Sequence, residues 1–154
     1  MFNIVLVEPR IPQNTGNIGR LCVAGWGRLH LIHPLGFSVS QKEIKRSGMD
    51  YWQRLEVIEW SNLFEFWEKH PVGENHFFFS TKAQSNYFGA SFSDECFLYF
   101  GREDAGLDVK ILEQYPNQTY KLPMREGRSI NLATCVGAVL YEAIRQNFQL
   151  LEGI

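Results

Sequence analysis

Apolar residues in this chain gather in short, near-continuous runs, at 3–8, 28–32, 76–80, 96–100 and 118–122, exemplified by Ile4-Val5-Leu6-Val7 and Phe97-Leu98-Tyr99-Phe100. Strands of this kind are buried on both faces, as in a parallel sheet covered by helices. Between the runs, the spacing of apolar residues becomes helical, at 15–25, 41–48, 62–69, 108–114 and, longest, 131–148. The alternation predicts an α/β protein with a mainly parallel sheet flanked by helices, formed as a single domain over 1–154.

Two helices carry a clear stripe. In the first, Ile18, Leu21, Cys22 and Trp26 share one face, with Arg20 pointing elsewhere. In the last, Leu132, Cys135, Val136, Val139, Leu140, Ala143 and Ile144 recur at the spacing of a core-facing stripe. Gly137 and Ala138, beside Tyr141, are small enough to admit another element, such as a second subunit. Asn62-Leu63-Phe64-Glu65 resembles a capping box, and the helix it opens reads as purely structural.

The chain has 154 residues, 45% of them hydrophobic and 21% charged, with a formal net charge of -2. That balance excludes a global attraction to nucleic acid, so any RNA must be held by a local patch. No apolar run approaches the roughly 18 residues of a membrane span. Met1-Phe2-Asn3 leads straight into the first strand, so the expected location is the cytoplasm, with no membrane partner. Cys22, Cys96 and Cys135 lie far apart in apolar surroundings and read as buried, reduced thiols. His30, His33, His70 and His76 lack metal-site spacing, and no metal is expected.

Polar, glycine-bearing turns follow three of the strands. Pro12-Gln13-Asn14-Thr15-Gly16-Asn17-Ile18-Gly19-Arg20 opens a helix whose N-terminal N–H groups suit an anion such as phosphate, with Arg20 adding a fork of donors. Gly101-Arg102-Glu103-Asp104-Ala105-Gly106-Leu107 follows another strand, and Arg125-Glu126-Gly127-Arg128-Ser129-Ile130-Asn131 opens the last helix. Any one of these turns is explained by backbone needs alone. Together they converge at the carboxyl edge of a parallel sheet, where α/β proteins bind ligands. Neither a GxGxxG fingerprint nor a P-loop is present.

These three segments resemble the motifs of the SpoU-type RNA 2′-O-methyltransferases of the SPOUT superfamily, especially the short, single-domain TrmL (YibK-like) group. The likeness spans nearly the whole chain and includes Val7-Glu8-Pro9-Arg10-Ile11-Pro12, His30-Leu31-Ile32-His33-Pro34-Leu35-Gly36-Phe37 and Arg46-Ser47-Gly48-Met49-Asp50-Tyr51. The resemblance implies a deep C-terminal trefoil knot, a homodimer, and S-adenosylmethionine as cofactor, with S-adenosylhomocysteine as product. It implies methyl transfer to the ribose 2′-OH of the tRNA wobble nucleotide, cytidine or uridine, in leucine-type tRNAs. By the same resemblance, Phe79, Gly101, Leu122 and Ser129 touch the cofactor, and Met124 and Leu132 lie near its adenine. Arg20 activates the hydroxyl, Asn14 and Glu103 orient Arg20 or the substrate, and Ser129 and Asn131 order the cofactor loop. Because guanidinium does not deprotonate in proteins, Arg20 reads better as a phosphate ligand that stabilises developing alkoxide charge than as a base.

The chain departs from the family pattern at Ala105, where an arginine is usual and Arg102 stands earlier instead, and at Gly127, Ala133 and Thr134. These departures motivate two alternatives: another tRNA or rRNA site, or a non-catalytic RNA-binding dimer that retains the cofactor. A phosphate-binding hydrolase is disfavoured, since neither a nucleophile elbow nor a metal cluster is present. For RNA contact, Lys42, Lys45 and Arg46 share a helical face, with Arg54 nearby. Lys45→Glu combined with Arg46→Glu is expected to weaken tRNA binding and flatten its salt dependence. Unchanged affinity in a salt-titrated binding assay would remove the patch.

Overall fold

The computed structural model describes residues 1–39, 44 and 51–152. The strands are β1 (Phe2–Val7), β2 (Gly27–Ile32), β3 (Val57–Trp60), β4 (His76–Phe79), β5 (Ser85–Asn86), β6 (Phe97–Phe100) and β7 (Thr119–Lys121). The helices are α1 (Pro12–Ala24), α2 (Leu63–Lys69), α3 (Val109–Gln114) and α4 (Leu132–Leu151). The strands form one sheet in the order β3-β2-β1-β6-β4-β7-β5, and each neighbouring pair is parallel.

Both faces of the central strands are covered, which explains the unbroken apolar runs. Successive side chains point to opposite faces, so Phe2, Ile4, Leu6, Leu98 and Phe100 pack with Ile18 and Cys22 of α1 and Val136, Val139 and Leu140 of α4. Val5, Val7, Phe97 and Tyr99 pack on the other side with Phe66 of α2 and Ile111 of α3. The five predicted strands occur within a residue or two of their expected limits. The edge strands β3 and β5 escape the pattern because their residues are half-buried or exposed.

Side-chain caps start three of the helices. Asn62, Asp108 and Asn131 accept from the backbone N–H groups of Glu65, Lys110 and Thr134. Two expectations change. Trp26 lies beyond the end of α1, in a left-handed turn (φ 54°), and is not on the helix face. Cys135 is only half-buried, although all three cysteines are free thiols. The element that Gly137 faces is α1 of the same chain, where a Cβ would make an ordinary contact with Leu21 at 3.6 Å. The helix expected at 41–48 lies outside the described residues except for Ile44, which is helical and buried.

Opposite the carboxyl edge, a histidine–aromatic cluster closes the α2 side. Trp60 Nε1 donates to His30 Nδ1 (3.1 Å), so Nε2 carries the proton and donates to Asn3 Oδ1 (3.0 Å). Trp67 Nε1 donates to the Tyr99 hydroxyl (2.9 Å), which also shares a hydrogen bond with His76 Nδ1 (2.7 Å), while His76 stacks on Phe97. Burial, and then neighbouring His70, push His30 down to about 3 and His76 to about 4. In both cases the folded value lies below the unfolded one, so unfolded chains take up protons first as pH falls. Stability is therefore expected to drop below about pH 6.5, by up to about 1.4 kcal/mol per pH unit for each histidine. Urea unfolding at stepped pH checks this; an imidazole resonance of His30 or His76 titrating near its ordinary value would overturn it.

Candidate active site

The sheet register lines up Leu6, Phe100, Phe79 and Tyr120 across four neighbouring strands just before the chain enters its loops. Phe79 and Phe100 lie nearly parallel there, with centroids 5.1 Å apart, and make a closed apolar floor. The loops after β1, β4, β6 and β7 rise around this floor and enclose a cleft of about 730 Å³. That volume suits a small-molecule ligand, for which sites span roughly 300–1,000 Å³.

The cleft unites Phe79, Gly101, Leu122, Met124, Ser129 and Leu132, the six residues expected at the cofactor, and adds Asn14 and Glu103. Leu122, Met124, Ile130 and Leu132 supply apolar wall, and Ser129, Asn131 and Thr81 supply polar groups. Gly101 is required by close approach, because a Cβ there would collide with the backbone of Gly106 and Leu107. Lys82, Lys121 and Arg128 also line the cleft, although motif reading gave them no role. Their signal in the sequence is position alone, since each sits within a few residues of the carboxyl end of a strand or at a helix start.

A chain of hydrogen bonds ties the three motifs together. Glu103 Oε1 accepts from the Arg10 backbone N–H (2.8 Å), and Oε2 accepts from that of Ile11 (2.7 Å) and from Asn14 Nδ2 (3.4 Å). Asn14 Oδ1 accepts from Asn131 Nδ2 (3.3 Å), and Asn131 Oδ1 accepts from the Thr134 N–H that it caps (3.2 Å). Glu8, in a left-handed conformation (φ 55°), turns the end of β1 into this clamp. The expected phosphate site at the start of α1 is therefore already served by an anion, the protein's own Glu103 carboxylate.

Arg20 is placed differently from the expectation. Since α1 begins at Pro12, Arg20 falls in the third turn, about 9 Å along the axis from Asn14. It is exposed and absent from the cleft wall; its guanidinium sits over the ring of Tyr51, which Arg54 also faces. Arg102, which lines the cleft near Ala105, is paired with Asp104 through two bonds of 2.9 and 2.8 Å. That pairing raises the Arg102 pKa and lowers that of Asp104. Burial pushes the Cys135 thiol at the cleft wall up to about 11, which makes it a poor nucleophile. Lys42, Lys45 and Arg46 lie outside the described residues. Among the described residues, no group of three or more His, Cys, Asp and Glu could hold a metal, and no helix is long and apolar enough to cross a membrane.

The cleft fits an adenosine-type cofactor, with a flat aromatic floor, apolar walls and close-packed backbone from two loops. Sequence and structure comparisons point the same way. The profile of the SpoU rRNA Methylase family matches residues 1–141. The tRNA (cytidine(34)-2'-O)-methyltransferase of Aeromonas hydrophila is 42% identical over 148 residues, spanning 95% of this chain and 94% of that protein. A solved structure presented as structural insights into the 2-OH methylation of C/U34 on tRNA superposes with a TM-score of 0.91 at 40% identity, covering 97% of both chains. The SpoU methyltransferase AviRb from Streptomyces viridochromogenes in complex with AdoMet shares the fold, with a TM-score of 0.82 at 23% identity over 95% of this chain and 57% of that one.

Glu103→Gln keeps the side-chain shape but removes one of two acceptor oxygens and all of the charge facing α1. The variant is expected to lose about 1–3 kcal/mol of stability and to bind ligand in the cleft more weakly. Denaturant unfolding and calorimetry check this; wild-type stability would show that the clamp is not structural.

Proposed function

The chain belongs to the SpoU rRNA methylase family, and on that premise we propose that it methylates the ribose 2′-OH of the wobble nucleotide, cytidine or uridine 34, of leucine-type tRNAs. The observation that carries this reading is the single cleft that joins all six cofactor positions to the Asn14–Glu103 clamp. The relative and the solved structure matched across nearly the whole chain support the choice of substrate.

When bound, S-adenosylmethionine supplies an electrophilic sulfonium methyl group. The protein must then place a ribose 2′-oxygen in line with that methyl and help it lose a proton. Phe79, in the floor, with Leu122, Met124 and Leu132 would hold the cofactor's adenosine, while Gly101 and Ser129 would order the surrounding loops. Arg20 stays charged throughout, so it binds the phosphate beside the target ribose and stabilises the oxyanion as it forms. The hydroxyl proton leaves to that phosphate or to water, and S-adenosylhomocysteine is the product released. Asn14 and Glu103 act through position, fixing the start of the helix that carries Arg20.

The proposed assembly is a homodimer of one-domain subunits acting in the cytoplasm. Exposed Tyr141, Phe148 and Leu150 on α4 support it, as large apolar side chains that a partner would cover. The trefoil knot is part of the same reading. It is supported by the course of segment 122–131, which leaves β7 and brings Asn131 against Asn14, itself bonded to the loop after β6. For tRNA, Lys42, Lys45, Arg46 and Arg54 form the proposed patch, with Arg54 beside Arg20 at Tyr51.

Transfer of labelled methyl to tRNA from cells lacking this protein, followed by nucleoside mapping, tests the reading. Label is expected in a 2′-O-methylated pyrimidine at the wobble position; label elsewhere would move the site, and no label would favour a binding protein. Arg20→Ala is expected to abolish transfer while leaving cofactor affinity close to wild type. A large loss of that affinity would sink the role given to Arg20.

A further inference from the structure

Two arginines share one aromatic ring beside the site. The Arg20 guanidinium carbon lies 5.0 Å from the centroid of Tyr51, and that of Arg54 lies 5.1 Å from it. Both distances fall within the range of cation–π attraction. The two cations are therefore no more than twice that distance apart, and their attraction to the shared ring offsets part of their repulsion.

The ring is delivered to Arg20 by a built contact. A 3-10 turn, Trp52–Arg54, packs on α1 beside Arg20, where the helix is bare. A Cβ on Gly19 would stand 2.8 Å from Leu55 Cδ2 and 2.9 Å from Trp52 Cζ3, so any larger residue would force these side chains of the turn to shift. Within the turn, the N–H of Arg54 donates to the Tyr51 carbonyl (2.9 Å), and that of Leu55 donates to the Trp52 carbonyl (3.2 Å). Those bonds fix the spacing of Tyr51 and Arg54 on one short frame. A long, exposed arginine otherwise samples many rotamers. Here the neighbouring glycine seats an aromatic ring against it.

We propose that Tyr51 is a positioning residue for Arg20: its ring holds the Arg20 and Arg54 guanidinium groups as a paired cation site for backbone phosphates of the RNA substrate. This rests on the role of Arg20 given above and extends it to a residue that touches neither cofactor nor reacting atoms. The hydroxyl of Tyr51 is dispensable for this function, while the ring is not.

Tyr51→Leu and Tyr51→Phe separate these cases. Under saturating cofactor and tRNA, Tyr51→Leu is expected to lower kcat by about 10- to 100-fold, the scale of a misplaced group, without changing cofactor affinity. Tyr51→Phe is expected to restore it. Thermal unfolding is read alongside, because loss of the turn's seat would also lower activity. The Arg20 Nε–H resonance gives the direct test, since the ring current should displace it in wild type and Tyr51→Phe but not in Tyr51→Leu. Wild-type kcat in Tyr51→Leu, equal impairment of both variants, or an unmoved Arg20 resonance would overturn the proposal. Should wild type transfer no methyl to any RNA, the functional reading falls separately. Weaker, less salt-dependent tRNA binding by Tyr51→Leu with a moved resonance would then still uphold the paired site, and unchanged binding would overturn it.

Discussion

The architecture of the site depends on one carboxylate. Glu103 reaches from the loop after β6 to the backbone N–H groups of Arg10 and Ile11 and to Asn14, and Asn14 passes the link to Asn131. Three segments far apart in the chain are thereby fixed in one arrangement around the cleft. A helix start with unpaired N–H groups and partial positive charge attracts an anion, and the protein supplies its own. The cleft beside it keeps an apolar floor and wall, Phe79, Phe100, Leu122, Met124 and Leu132, which suits an aromatic base, with Lys82, Lys121 and Arg128 also lining it.

Beneath the clamp, the parallel sheet gives the loops a rigid footing. Leu6, Phe100, Phe79 and Tyr120 stand in register, and the central strands are closed on both faces by helices. Sites held by packed elements keep their geometry better than sites on free loops. The histidine–aromatic cluster on the α2 side serves the same footing, with buried rings that complete their hydrogen bonds in the neutral state.

The cleft and the Arg20–Tyr51–Arg54 group occupy different parts of the surface. The cleft walls carry the cofactor positions, whereas Arg20 and Arg54 meet at Tyr51 on the exposed side of α1. For a chain of net charge -2, such grouping matters: phosphate recognition must come from a few cations held close together. Two like charges, Arg20 and Arg54, lie 5.0 and 5.1 Å from the ring of Tyr51, while Arg102 is paired with Asp104.

Local patterning was sufficient for the sheet's parallel character, five of its strands and the capped helices, because burial on both faces and helical spacing write themselves into neighbouring residues. The family resemblance likewise grouped Phe79, Gly101, Leu122, Met124, Ser129 and Leu132, and one cleft brings them together. Beyond local reach were the edge strands β3 and β5, whose half-wet residues carry no apolar signature, and the cleft cations Lys82, Lys121 and Arg128. Tertiary structure alone decided that Glu103 fills the anion site of α1, that Gly137 faces Leu21, and that Arg20 stands at Tyr51 and not among the cleft residues. Each of these is a meeting of side chains distant in sequence, and the periodicity of a segment records which face is buried but not which distant group it meets there.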